Sequence, residues 1–125
     1  MRLVIDMPWE RSLSVNHMRF GRGGHYRKKP EVQAWMERLL LETHCRSTFP
    51  DQQLFDHYNI LVRVDFRFPD KRRRDTHNYF KVICDSVAKG LGIDDKDIRI
   101  STGTVDVDRD RPGFTITVED SDDSS

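Results

Sequence analysis

The sequence predicts an α/β domain of element order βαβαββ, in which two helices pack on a mixed sheet. Three features of its 125 residues lead there. From His57 to Phe68, the residues Tyr58, Ile60, Val62, Val64, Phe66 and Phe68 alternate with mostly polar neighbours, the period-2 pattern of a strand with one buried face. Two other stretches, around residues 30–46 and 76–89, space their apolar residues as a helix does. Clusters of Gly, Pro and Asp separate the segments, as turns require.

In chain order, Arg2 to Met7 forms the first strand, and a long loop from Pro8 to Lys29 follows, its GRGG stretch flexible by composition. Pro30 suits the first position of a helix, because its missing N–H has no partner to lose there. That helix runs to about Arg46 with Val32, Trp35, Met36, Leu39 and Leu40 on its apolar face, and the segment 47–53, which contains Pro50, ends it. After the alternating strand, PDKRRRD breaks the pattern. A second helix spans about Thr76 to Lys89, with Gly90 placed to supply a left-handed cap. Its buried arc is expected to hold Phe80, Ile83, Cys84, Val87 and Leu91, with His77, Asn78, Lys81 and Asp85 on the opposite arc. The last strands are Ile98 to Val107 and Phe114 to Val118, with DRDRPG turning between them. Residues 1–118 then make one domain, and residues 119–125, EDSDDSS, form an acidic tail too polar to pack.

A hydrophobic fraction of 36% gives a modest core, so burial at a subunit interface would help the chain. No stretch is long and apolar enough to span a membrane, and the start, MRLVIDMPWER, lacks the zones of a signal peptide, so a cytoplasmic protein is expected. Cys45 and Cys84 lie in helical segments without CxxC spacing, which points to reduced thiols rather than a disulfide or zinc site. The net charge of zero hides an uneven distribution. Residues 1–74 hold 15 Lys/Arg against 9 Asp/Glu, and residues 75–125 hold 6 against 12. From Arg11 to Lys29 there is no acid at all, so a polyanionic partner is compatible with the neutral total.

The region around the second helix concentrates chemistry. Four consecutive cations, Lys71 to Arg74, run into Asp75, and the helix exits into Asp94 and Asp95. Taken singly, each has an ordinary explanation: Asp75 as an N-cap, Asp94 and Asp95 as a turn, Lys81 and Asp85 as an i,i+4 ion pair. Taken together they supply what phosphodiester hydrolysis needs: carboxylates for a hard divalent ion, a cation for developing charge, and basic groups for the phosphate backbone.

From Phe68 to Asp97 the sequence FPDKRRRDTHNYFKVICDSVAKGLGIDDKD resembles the signature of RusA-type Holliday junction resolvases. Members run basic residues into an Asp, place Asn three and Lys six residues later, and return a paired Asp after the helix. The start, MPWERSLSVN, is similar to the family's opening strand, Pro and loop Asn, here Pro8 and Asn16. The resemblance implies a RusA-like fold and a homodimeric endonuclease that cuts branched DNA with Mg²⁺ or Mn²⁺, and it makes a phage or prophage recombination role plausible. It implies Asp75, Lys81 and Asp95 as catalytic residues, with Asp75 and Asp95 at the metal and Asn78 supporting them. His77 stands where members have a second acid, so it joins the expected metal site as an imidazole, a poor Mg²⁺ ligand but a fair one for Mn²⁺. Asp85 and Asp94 are secondary candidates. The expected DNA-holding residues are Asn16, Arg19, Arg22, Arg27, Lys28, Lys29, Lys71, Arg72, Arg73 and Arg74. Two other readings stand beside this one: a branched-DNA-binding protein without catalysis, and a basic RNA-binding domain whose acids are only caps and turns.

Overall fold

The computed structural model describes residues 2–14, 19–20, 27–47 and 59–120, and it has the expected α/β architecture. The principal elements are β1 (Arg2–Pro8), α1 (Pro30–Ser47), β4 (Ile60–Phe68), α2 (Phe80–Leu91), β5 (Ile98–Val107) and β6 (Gly113–Asp120); within the expected loop, β2 (Arg19–Phe20) and β3 (Arg27–Lys28) form a short antiparallel pair. The main sheet has the order β1-β6-β4-β5. β6 runs antiparallel to both β1 and β4, whereas β4 and β5 are parallel, so the sheet is mixed. A parallel pair needs a crossover, and α2 provides it.

One face of the sheet carries the core. Leu3, Ile5 and Met7 of β1, Val62, Val64 and Phe66 of β4, and Phe114, Ile116 and Val118 of β6 are buried together with Val32 and Leu39 of α1 and Ile83 and Val87 of α2. The indole N–H of Trp35 donates to the carbonyl of Pro8 at 2.8 Å, which ties α1 to the end of β1. On the other face, the β4–β5 register shifts by a bulge between Val64 and Phe66, where Asp65 accepts the N–H of Thr104 at 2.7 Å and the Nε of Arg63 at 3.2 Å.

Several boundaries differ from the sequence reading. β4 begins at Ile60, after Asn59 in a left-handed conformation (φ 61°), while His57 and Tyr58 lie outside the described residues. Leu40 is half-buried and Trp35 lies in the core, because α1 turns its Trp35 edge toward β1. Residues Thr76–Tyr79 form a 3-10 turn before α2, and the left-handed cap is Gly92 (φ 72°), not Gly90. Gly90 is buried inside the helix for a different reason: a Cβ there would meet the Leu40 carbonyl oxygen and Thr43 Cβ, each at 2.7 Å. The buried arc of α2 is Val82, Ile83, Ser86, Val87, Ala88 and Gly90, so Phe80, Cys84 and Leu91 are only half-buried. β6 runs past Val118 through Glu119 to Asp120, with Asp120 buried, and residues 121–125 lie outside the described residues. The strands joined by DRDRPG are not neighbours, since β4 lies between β5 and β6.

Candidate active site

The register brings three chain segments to one end of the sheet. Gly113 at the start of β6 pairs with Pro8 at the end of β1 and with Arg67 near the end of β4, so Trp9 and Phe68 emerge side by side. Their rings meet edge to face at 5.4 Å between centroids. Trp9 also stacks on Phe114 and leans on Tyr79, both at 5.5 Å. Trp9 and Tyr79 of this aromatic group line a cleft of about 480 Å³.

The chain leaving β4 crosses that aromatic group. Asp70 accepts the N–H of Arg72 at 2.9 Å and both terminal nitrogens of Arg74, at 2.7 and 3.2 Å. The Arg74 guanidinium lies 5.3 Å from the Trp9 ring centroid and 5.2 Å from that of Phe68. These contacts have electrostatic consequences. The Arg74 guanidinium, helped by the Arg72 N–H, holds the Asp70 carboxyl down to about 2, and Asp70 in turn raises Arg74. Burial raises the Tyr79 phenol.

Asp75 follows directly and caps the 3-10 turn: its Oδ1 accepts the N–H of His77 at 3.0 Å, and its carbonyl accepts that of Asn78 at 3.1 Å. Asp75 lines the cleft with Asn78 and the cations Arg11, Lys29, Arg72 and Arg73. Arg11 comes from a 3-10 turn after β1, and Ser12 of that turn donates to Glu31 of α1 at 3.2 Å. The cleft thus combines an acid with several cations, and such cations attract phosphates.

Other expected residues lie elsewhere. His77 is exposed, its ring 5.0 Å from that of Phe80. Lys81 makes an i,i+4 ion pair with Asp85 at 3.5 Å and is not among the residues lining the cleft. Asp94 caps a further 3-10 turn, accepting the N–H of Lys96 at 3.1 Å, and that bond with its contact to Asp95 lowers its carboxyl. Cys84 is pushed up to about 11 by burial, then by the charges of Asp85 and Asp95. Along the chain, the 3-10 turn and the 12 residues of α2 stand between Asp75 and Asp95. Among the described residues no three His, Cys, Asp or Glu side chains converge.

Of the expected DNA-holding residues, Lys29, Arg72, Arg73 and Arg74 line the cleft, Lys71 and Arg27 are exposed, and Lys28 borders a separate groove with Gln33 and Met36. Only the backbone of Arg19 is described, and Asn16 and Arg22 lie outside the described residues. Trp9, Ser12 and Tyr79 also line the cleft, and the sequence reading does not single them out. The acid-free basic run already contained Arg11; no local signal pointed to Trp9 or Tyr79.

A protein-family model described as Endodeoxyribonuclease RusA matches residues 13–119 of the chain. No curated protein matches it. No helix among the described residues is long and apolar enough to cross a membrane.

Proposed function

This chain belongs to the endodeoxyribonuclease RusA family, and on that premise we propose that it resolves four-way (Holliday) DNA junctions by metal-dependent hydrolysis of phosphodiester bonds. The observation that carries this reading is the cleft that Asp75 lines together with Arg11, Lys29, Arg72 and Arg73. Neutralising phosphates with such cations supplies sequence-independent affinity. A bare duplex-binding surface has no use for an exposed carboxylate in its midst, because it repels the very phosphates the cations attract. A hydrolytic site does.

The donor chemistry fits a hard divalent ion, since Mg²⁺ is commonly held by one or two carboxylates and keeps several waters. Asp75 would hold it in the cleft, and Asp95, which follows α2, would join it from a second copy in a homodimer. When bound, the ion would polarise the phosphoryl oxygen and activate water. The cations align the DNA strand, Asn78 offers its amide beside Asp75, and Lys81 brings a positive charge that Asp85 orients through their ion pair. A two-fold homodimer would present two such sites to strands that are themselves related by an approximate two-fold axis.

The test uses a labelled mobile four-way junction and a linear duplex, in Mg²⁺ and in Mn²⁺. Paired cuts in the junction and none in the duplex are expected. Asp75→Asn and Asp95→Asn should each abolish cutting while junction binding persists. Mixing the two inactive variants should restore nicking, because a mixed dimer keeps one site with both carboxylates. Binding without nicking by the wild-type protein in either metal would favour the non-catalytic reading instead.

A further inference from the structure

The four cations before Asp75 are not equivalent. The side chain of Arg72 is 83% exposed, whereas that of Arg74 is 16% exposed, and its charge is already answered. A guanidinium has its donors in a fixed planar fork. In Arg74 two terminal nitrogens close a bidentate pair with Asp70, and the group lies against the rings of Trp9 and Phe68. Held there, and with only 16% of its side chain exposed, it presents less to a phosphate than its neighbour Arg72 does. The neutralised pair also contributes little to the long-range attraction that gathers DNA, which falls to Lys71, Arg72 and Arg73.

The contacts do something else. Asp70 takes the N–H of Arg72 as well, so residues 70–74 are closed on themselves and fastened to the aromatic group. The next residue is Asp75, whose carboxylate must stand at one place in the cleft. We propose that Arg74 is a positioning residue and not a phosphate ligand: clamped by Asp70 and the Trp9 and Phe68 rings, it fixes where the chain delivers Asp75. Lysine cannot replace it, since an ammonium is a point charge without the planar fork or the flat face that the rings contact. This inference rests on the reading of the cleft as the hydrolytic site.

The test compares Arg74→Lys and Asp70→Asn with Arg72→Gln. Junction affinity is measured without divalent metal across a salt series, and cleavage at saturating junction with metal. Arg74→Lys should leave affinity and its salt dependence unchanged and lower kcat on the order of 10- to 100-fold, the range that a misplacement of about 1 Å produces. Asp70→Asn should lower kcat in the same way, and the double variant should lose little more than either single one, because both break one clamp. Arg72→Gln should do the reverse, weakening binding and reducing the salt slope by about one phosphate's worth.

A second readout needs no DNA. Nitrogen-15 NMR of the wild-type protein should show a slowly exchanging Arg74 Nε–H with separate Nη signals, averaged in Asp70→Asn. If Arg74→Lys does not fold, Asp70→Asn carries the test. The proposal is overturned if Arg74→Lys or Asp70→Asn lowers affinity and salt slope like Arg72→Gln with kcat intact, or if the wild-type guanidinium exchanges freely. Should the wild-type protein cut no junction, the proposed function fails, and the NMR result still decides whether Arg74 is clamped.

Discussion

Gly90 and Gly92 lie two residues apart at the end of α2, yet the structure makes opposite demands of them, and substitution should separate the two. At Gly90 the backbone is helical, so alanine there gains about 1 kcal/mol of helix propensity. The added Cβ would lie 2.7 Å from both the Leu40 carbonyl oxygen and Thr43 Cβ, and 3.0 Å from Thr43 Cγ2. Two of these obstacles are backbone or directly attached to it, so the helices must move apart rather than a side chain rotate. Overpacking costs about 1–3 kcal/mol, and obstacles this rigid put the cost toward the upper end, about 2–3 kcal/mol. The net expectation for Gly90→Ala is a loss of about 1–2 kcal/mol, or roughly 3–8 °C in Tm for a chain of this size. At Gly92 nothing lies within 4 Å of an added Cβ, and the cost is the left-handed backbone at φ 72°. There Gly92→Ala should lose about 1 kcal/mol and Gly92→Asn less, because asparagine tolerates that conformation. At Gly90 the order should invert, with Asn worse than Ala because it is larger. Urea titrations read by circular dichroism give the free energies, with the slope checked for constancy. A Gly90→Ala protein as stable as wild type, or more so, would refute the close-packing argument and leave propensity as the dominant effect.

Two further outcomes are expected. Asp70 is held down to about 2, below the ordinary carboxylate range, so its contribution to stability is complete above about pH 4 and is lost as the pH falls toward 2; the Arg74 guanidinium signals should survive at pH 4 and average near pH 2. If they average already near pH 4, the bidentate pair does not set that carboxyl. His77→Asp should raise Mg²⁺-supported cutting relative to Mn²⁺, since it replaces an imidazole with an oxygen donor at the position next but one to Asp75; an unchanged rate ratio would leave His77 as a surface residue packed on Phe80.

The parts of the fold legible in the sequence are those written in local periodicity. β4 was plain because its residues alternate between a buried face and a partly solvated one, and α1 because Pro30 marks its start. The packed face of α2 was misjudged because hydrophobicity counts Phe80, Cys84 and Leu91 and overlooks Ser86 and Gly90, the small residues that let α1 come close. The capping role given to Gly90 failed for the same reason: a glycine serves either conformation or space, and only the neighbouring helix says which. In the site, Asp75 was legible as an N-cap following a basic run. That Trp9 and Arg11 stand beside it was not, since β6, more than a hundred residues after β1, has to bring them there.

The placement of β6 has a consequence for how the molecule is made. This strand is synthesised after β1, β4 and β5, yet it occupies the interior of the sheet and supplies the hydrogen-bonding partner for both β1 and β4. Until Gly113–Asp120 has been translated, β1 has no neighbour, and β4 shows a bare apolar edge while its pairing with β5 is already possible. Such pairings are distant in sequence and slow to close. The nascent chain therefore waits with an unfinished sheet, in the state most prone to association with other chains. A stop codon anywhere before residue 113 would remove the middle of the sheet and not its margin, and would abolish folding rather than trim it.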